Sequence, residues 1–258
     1  MHRTPYGGRH FECFSEDPEL TSVIGVAYVQ GLQADGVAAT VKHFVANDSE
    51  TDRFSVNALV DERVLRELYL APFERIVAAG AWAVMAAYNK VNGTTMTENP
   101  LQRDVLKREW GFDGVIMSDW YATRSVAAAG EDLLDLAMPG PESPWTEWLL
   151  DAVQSGQISE SAVDGHVQRI LRLAARVGAL DGLDAAAPSA RRWSDEELSA
   201  ELRASSAAGM VLIKNDGVLP LQTGSLRQVA VIGPERSYGP NAGWRECDCL
   251  PVVRDLSS

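Results

Sequence analysis

The hydrophobic pattern alternates between short apolar runs and a longer segment with helical spacing. Strand-like runs occupy Val37 to Phe44, Trp82 to Tyr88, Gly114 to Ser118 and Leu133 to Met138. Between the first two, Asp61 to Ala79 repeats apolar residues at the spacing of one helix face. Strands that alternate with helices are typical of parallel βα units. The pattern therefore predicts an α/β fold built on a parallel sheet.

Helical spacing also predicts how the chain continues. Ser159 to Val177 forms a helix that stops before Gly178, with an apolar face of Val163, Val167, Ile170, Leu171 and Ala174. Small residues interrupted by Pro188 predict a linker at about residues 183–193. After it we expect a second α/β unit, which begins with a helix at Ser194 to Ala208 and strands at Met210 to Lys214 and Gln228 to Ile232.

The number of strands decides the architecture of the first unit. A closed (β/α)8 barrel of the TIM type takes about 250 residues. Only about four strands fit before the linker at residues 183–193. The first unit, residues 1–182, is therefore predicted to be a partial barrel that contains the later strands.

Composition narrows the classes of partner. The chain has 258 residues, 46% of them hydrophobic and 23% charged, which is typical of a globular protein with a sizeable core. A net charge of -13 argues against nucleic acid, which requires concentrated Lys and Arg. The longest apolar stretch, Ile76 to Tyr88, is too short for a membrane span. The three cysteines form no recognisable disulfide or zinc pattern, and the absence of a signal-like segment favours the cytoplasm over export without deciding the compartment.

The strand at Gly114 to Ser118 ends in a carboxylate, Asp119, which is followed by the indole of Trp120. A carboxylate fixed at the end of a buried strand is suited to nucleophilic attack on a sugar, and an adjacent aromatic ring offers a flat face to a pyranose. Asp is also a favoured N-terminal cap, here for a helix near Ala122. This segment alone leaves both interpretations open.

Three further clusters follow predicted strands or lie in turn-rich loops, as the catalytic residues of such barrels do. Lys42 and His43 offer hydrogen-bond donors for sugar hydroxyls, Met85 and Tyr88 line a strand end, and Arg9 supplies a rigid donor fork. Taken singly, the Lys–His pair is more often ordinary surface, and Met85 and Tyr88 more often fill the rim of a barrel. A metal site of His43, Asp48, Glu50 and Asp52 was weighed, but one His among oxygen ligands suits no tight geometry. With no phosphate-binding loop present, neither a metal nor a cofactor is expected.

Together the motifs resemble glycoside hydrolase family 3, in its β-glucosidase-like branch. The matching segments are Arg3 to Pro18, Lys42 to Glu50, Asp61 to Leu70, Met85 to Asn89, Gly114 to Trp120 and Val211 to Leu221. The resemblance implies a partial barrel domain at residues 1–182 and, at 194–258, the start of an α/β sandwich domain.

The resemblance also implies an activity and a set of roles. It implies a retaining β-glycosidase, most simply a β-glucosidase, that acts on a β-linked oligosaccharide or glycoside through a covalent intermediate on Asp119. Arg9, Lys42 and His43 would bind hydroxyls of the innermost sugar, Tyr88 would lie beside the nucleophile, Met85 would form a wall and Trp120 a platform. A β-xylosidase specificity stays open as an alternative.

Some features depart from this family. Its acid/base Glu is expected from the second domain, downstream of this chain, and its early acidic sugar-binding residue would precede Met1. The loop from Phe44 to Arg53 lacks the His that the N-acetylglucosaminide-cleaving branch uses. The tail from Glu235 to Ser258 does not continue the family pattern. We therefore expect a fragment, and an inactive remnant with weak sugar binding is the alternative to an enzyme.

Overall fold

The computed structural model describes residues 1–182, 193–222, 224, 226, 228–231 and 252–255. The chain divides into two compact units, Met1–Arg192 and Trp193–Ser258. The predicted linker lies outside the described residues except for Trp193, and the predicted domain limits stay a prediction. Among the described residues, no helix is both long and apolar enough to cross a membrane.

The first unit contains six strands and six α-helices in its described part, with additional short helical turns. In chain order they are α1 (Pro18–Ala34), β1 (Thr40–Phe44), β2 (Asn57–Ala58), α2 (Glu62–Val64), a π-helical segment (Leu65–Leu70), α3 (Ala71–Ala78), β3 (Ala83–Ala86), β4 (Lys90–Val91), β5 (Thr94–Thr95), a second π-helical segment (Gln102–Glu109), β6 (Val115–Ser118), α4 (Ala127–Gly130), α5 (Glu147–Gln154) and α6 (Glu160–Arg176). Two turns of 3-10 helix, His10–Glu12 and Met96–Glu98, complete the set.

The central sheet is parallel and has the strand order β1, β3, β6. Three of the four predicted strands are thus confirmed, each with tighter limits than the apolar run. The prediction of a strand at Leu133 to Met138 is wrong, because this segment makes one isolated bridge, from Leu136 to Met117. Side chains replace the ladder on both sides of that bridge: Asp135 Oδ2 accepts from the Ile116 amide at 2.8 Å, and Ser118 Oγ accepts from the Met138 amide at 2.8 Å.

The helices begin and end where local chemistry directs. The carboxylate of Asp17 accepts from the Glu19 amide at 2.8 Å and caps α1, a helix that the hydrophobic pattern did not single out. The helix predicted from Asp61 to Ala79 is confirmed as α2, the π-helical segment and α3 in succession. Helix α6 is confirmed with its cap at Ser159.

The predicted apolar face of α6 does not face the core. Val167, Ile170 and Leu171 are exposed, and the buried residue of this helix is His166. The helix is held through polar side chains instead, since Arg172 Nη1 donates to the Asp113 carbonyl at 2.7 Å and Arg176 pairs with its carboxylate. Periodicity identified the helix but not the face that it buries.

The core lies between the sheet and its helices. Its largest fully buried side chains lie on the central sheet, on the helical segments and in the loops between them: Phe44, Leu70, Met96, Leu106, Ile116 and Leu134. Phe44 packs edge-on against Phe73, with ring centroids 5.2 Å apart. This packing fixes the strand ends that carry the candidate site.

In the second unit, α7 (Asp195–Ala208) confirms the predicted helix, with a capping box between Ser194 and Glu197. The prediction of a strand at Met210 to Lys214 is wrong. Its apolar side chains are exposed, Ile213 to 94%, and in the described part of the chain no strand pairs with it. The predicted strand at Gln228 is confirmed as β7 (Gln228–Val231), which pairs antiparallel with β8 (Val252–Asp255).

Candidate active site

A bulge at the end of β1 places Lys42 and His43. In regular pairing successive side chains point to opposite faces of a sheet. Here Val41 pairs with Val84 and Phe44 pairs with Ala86, so that Lys42 and His43 together oppose one residue of β3. Such a two-against-one bulge bends the strand and redirects its side chains. The local irregularity therefore lets the neighbouring Lys and His serve one site.

The bulge brings His43 to Asp119 at the end of β6. His43 Nε2 lies 3.3 Å from Asp119 Oδ2, and the two side chains are only 10% and 13% exposed. Neither of these atoms has an aligned hydrogen-bond partner among the described residues, whereas Asp119 Oδ1 accepts from the Trp120 amide at 2.7 Å. A buried carboxylate oxygen and a ring nitrogen thus remain free to bond a further polar group.

Burial keeps the His43 imidazole neutral. It lowers the pKa of His43 to about 4, although Asp119 acts in the opposite direction, and the charges of Lys42 and Arg9 lower it further. Near neutral pH the ring is therefore a hydrogen-bonding group beside Asp119 and not a counter-charge for it.

The sequence also predicted Tyr88, Met85 and Trp120 at this site. Burial raises the pKa of the Tyr88 phenol to about 12, and the Asp119 carboxylate contributes in the same direction, so Tyr88 is neutral and near the nucleophile candidate. Met85 is half-buried on β3 and pairs in register with Met117. Trp120 is 53% exposed.

Arg9, Lys42 and His43 line one cleft of about 150 Å³, and Met85, Tyr88, Asp119 and Trp120 are not in its lining. His43 joins the two groups, because its ring also contacts Asp119. Inside the cleft, Glu12 lies between two cations: it pairs with Arg9 and, at 3.1 Å, with Lys42 Nζ. Burial raises the pKa of Glu12, but Lys42 and Arg9 outweigh it and hold the pKa below its ordinary value.

Glu12, Glu50 and Arg53 contact residues of the candidate site, and the sequence did not single them out as sugar-binding groups. Arg53 donates to Glu50 at 2.8 Å, and its guanidinium lies 4.6 Å from the ring centroid of Tyr88. Glu50 in turn approaches Arg9 at 3.8 Å. The signal in the sequence was an acidic and a basic residue in the loop directly after Lys42 and His43. A charge that counterbalances a predicted ligand-binding cation is itself a candidate.

The next helix after Asp119, α4, begins at Ala127 with Val126 at its cap position, so the interpretation of Asp119 as a helix cap is wrong. Within the part of the chain that the structure describes, no group of three or more His, Cys, Asp or Glu side chains is arranged to hold a metal ion.

Known proteins are similar to this chain in both sequence and fold. The sequence profile of the Glycosyl hydrolase family 3 N terminal domain matches residues 1–173. A β-glucosidase of Rhizobium radiobacter is 50% identical over 236 residues, which cover 91% of this chain and 29% of that protein. The chain thus spans less than a third of the length of this relative.

Solved structures give the same result. A β-glucosidase of Kluyveromyces marxianus in complex with glucose is 41% identical, with a TM-score of 0.75 over 86% of this chain and 27% of that one. DesR, a β-glucosidase from Streptomyces venezuelae in complex with D-glucose, is 40% identical, with a TM-score of 0.76 over 85% of this chain and 30% of that one. The predicted α/β barrel-type fold is confirmed by these similarities.

Proposed function

The chain belongs to glycosyl hydrolase family 3, and from this membership we propose that it carries the nucleophile half of a retaining β-glucosidase site. The proposed substrate is a glycoside with a terminal β-linked glucosyl residue. The names of the relatives support the glycosidase class, and the bound glucose in two structural relatives supports the sugar.

The observation that carries the proposal is the state of Asp119. Its carboxylate is 13% exposed at a strand end, and Oδ2 lacks a hydrogen-bond partner among the described residues. The groups next to it, His43 and Tyr88, are neutral at physiological pH and so do not neutralise its charge. A buried carboxylate oxygen without a hydrogen-bond donor among the described residues is suited to nucleophilic attack.

The proposed reaction forms one bond and breaks one. Asp119 Oδ2 attacks the anomeric carbon, the bond from that carbon to the leaving oxygen breaks, and the electron pair leaves with that oxygen. Water then hydrolyses the glycosyl ester and restores the carboxylate. The expectation that a Glu of the family's second domain protonates the leaving group stays a prediction.

Sugar binding is proposed for the groups around this carboxylate. Lys42 Nζ and the Arg9 guanidinium hold Glu12 in the cleft, an arrangement of charged donors and acceptors that suits vicinal hydroxyls. Tyr88 lies next to Asp119, the Arg53 guanidinium stacks on the Tyr88 ring, and the exposed Trp120 is proposed as a platform for the sugar. Met85 is proposed as part of the apolar wall.

Covalent trapping tests the nucleophile without the acid/base residue. The reagent is an activated dinitrophenyl β-glucoside that carries fluorine in place of the hydroxyl next to the anomeric carbon. Its leaving group departs without protonation, and the fluorine slows hydrolysis of the glycosyl ester, so the intermediate accumulates. Mass spectrometry of the 258-residue chain should find one added fluoroglucosyl group, located on Asp119 after digestion.

A matched pair of variants makes the result specific. Asp119→Asn should abolish labelling, while Asp113→Asn should retain it, because the exposed Asp113 lies before β6 and pairs with Arg172 and Arg176 of α6. Label on a different residue, or equal labelling of Asp119→Asn and the unchanged chain, would refute the assignment of the nucleophile.

A further inference from the structure

Asn89 follows Tyr88 and is fully buried, although its side chain is polar. Its Nδ2 atom donates to two backbone carbonyls, that of Val45 at 3.1 Å and that of Lys90 at 3.1 Å. The first bond crosses from the end of β3 to the chain that leaves β1. Both hydrogens of this buried amide group bond main-chain carbonyls, which indicates that the side chain positions the backbone.

The segment that Asn89 holds is irregular on both sides of Val45. Before it lies the bulge at Lys42 and His43, where the β1 ladder is broken. After it comes Ala46, whose φ of 63° lies in the left-handed region. That conformation costs a residue with a Cβ atom about 1 kcal/mol or more, so surrounding contacts must maintain it.

Few other bonds fix this exit from β1. The Ala87 amide donates to the Phe44 carbonyl at 2.7 Å, and the next carbonyl, that of Val45, is taken by the Asn89 side chain. On its other edge, β3 accepts at the Ala86 carbonyl from the Asp119 amide at 3.2 Å. The segment that follows His43 and the amide of Asp119 are therefore both hydrogen-bonded to the end of β3 or to the residues directly after it.

We propose that Asn89 is a positioning residue that clamps the bulged end of β1 to β3 and thereby sets the imidazole of His43 against Asp119. The clamp acts on backbone and does not touch the reacting atoms. This proposal rests on the proposed function, since it concerns the same site. The contact between His43 and Asp119 can nevertheless be measured without any turnover of substrate.

A second buried asparagine provides a matched control. Asn99 is 5% exposed, and its Nδ2 likewise donates to two carbonyls, those of Val91 at 3.2 Å and Thr94 at 3.3 Å. These partners lie in the β4–β5 hairpin and not next to β1. Replacing either asparagine by Ala removes two such donor bonds, and Asn99→Ala also removes the bond that Asn99 Oδ1 accepts from the Leu101 amide at 3.0 Å. The control is therefore at least as severe a deletion, and a loss of stability common to both cannot explain an effect seen at His43 only in the Asn89 variant.

The measurement is the NMR titration of the His43 ring in the full chain, assigned with His43→Gln. Burial has the largest influence on this midpoint, and the charged groups that act on it are Asp119, Lys42, Arg9 and Glu12. In Asn89→Ala the freed strand end admits water to the ring, and the midpoint should rise from about 4 by at least half of the interval to the ordinary value of 6.5. Asn89→Ser, which keeps one donor, should rise less, and Asn99→Ala should leave the midpoint in place.

Covalent trapping adds an independent reading. The rate of fluoroglucosyl labelling should fall at least about tenfold in Asn89→Ala and less than about twofold in Asn99→Ala, because misplacement of a reacting group is costly. If the unchanged chain takes no label, the proposed function fails while the His43 titration still decides the clamp. Equal midpoint shifts in the Asn89 and Asn99 variants would overturn the proposal, as would unfolding of both Asn89 variants beside a folded Asn99→Ala, which would assign Asn89 to core stability.

Discussion

The described part of the first unit contains two contacts between an Asp and a His side chain, and the two differ in the hydrogen bonds that surround them. At the strand ends, His43 Nε2 lies 3.3 Å from Asp119 Oδ2, and both atoms lack hydrogen-bond partners among the described residues. Behind the sheet, His166 Nδ1 lies 2.9 Å from Asp135 Oδ1, inside a saturated network. We call His43 and Asp119 the open pair, and His166 and Asp135 the closed pair.

The closed pair has its bonding capacity used. Asp135 has no exposed side-chain area, and beyond His166 it receives Lys107 Nζ at 3.3 Å, Arg169 Nη1 at 3.5 Å and the Ile116 amide at 2.8 Å. His166 Nε2 lies 2.7 Å from the Gly130 carbonyl. Cations compensate the charge and donors occupy the oxygens, so this pair joins β6, the second π-helical segment and α6. Unused capacity, and not the Asp–His contact itself, distinguishes a candidate for chemistry from a structural joint.

The largest effect should come from removing the two carboxylates in turn. Asp135→Ala removes the carboxylate that the buried Lys107 and the half-buried Arg169 share, and it leaves Lys107 with only the more exposed Asp132 at 3.6 Å. We expect it to lower the free energy of unfolding by about 3–5 kcal/mol. Asp119→Asn removes an oxygen that has no donor, and its cost should stay below about 1 kcal/mol. Urea unfolding followed by circular dichroism measures both. Equal losses would show that the open pair is structural too.

The lysines that accompany the two pairs give a smaller version of the same contrast. Lys107 is 5% exposed and bonds Asp135, so Lys107→Met should cost about 2 kcal/mol. Lys42 is 39% exposed in its contact with Glu12, and Lys42→Met should cost less than about 1 kcal/mol. The same unfolding measurement applies, and a costlier Lys42 variant would contradict the comparison.

The open pair could be predicted from the sequence because its residues lie at the ends of predicted strands. Strand ends in a parallel sheet meet at one edge, which is why Lys42, His43, Tyr88 and Asp119 could be grouped before their contacts were known. The bulge that lets Lys42 and His43 serve one site could not be read, because no Gly or Pro marks it. Its support comes from Asn89, which is distant along the chain.

The closed pair was not predicted, and for a physical reason. Pattern analysis assumes that helices bury apolar faces, but α6 buries His166 and leaves Val167 and Leu171 exposed. The same assumption made the run around Asp135 look like a fourth strand, although its carboxylate and the Ser118 hydroxyl replace the ladder bonds. Polar side chains that bond backbone at long range carry no periodicity, so hydrophobic spacing cannot reveal them.

Acid should weaken the fold through the open pair by a moderate amount. The folded-state pKa of His43, about 4, lies below its ordinary value of 6.5, so between these limits the unfolded chain binds a proton that the folded chain does not. The contribution is present above pH 6.5 and is lost as the pH falls toward 4. His43→Gln should flatten this part of the stability curve. Glu12 adds a separate loss only below its ordinary value of 4.5, so a slope unchanged by His43→Gln would contradict the assignment.

The smallest effect concerns the arginine that borders the open pair. Arg53 bonds Glu50 at 2.8 Å and stacks on Tyr88 at 4.6 Å, with 30% of its side chain exposed. Arg53→Ala should therefore cost about 1 kcal/mol, since the cation–π contact adds to a partly screened ion pair. The matched control is Arg63→Ala, which removes an ion pair to Glu67 from an arginine that is 83% exposed, at a cost below about 0.5 kcal/mol. A larger loss for Arg53 than for Arg63 in urea unfolding indicates that the charges around Asp119 are held in place, although Asp119 Oδ2 has no hydrogen-bond partner among the described residues. Equal losses would mean that the loop after β1 is only a solvated edge, and the open pair would then lack an ordered wall on that side.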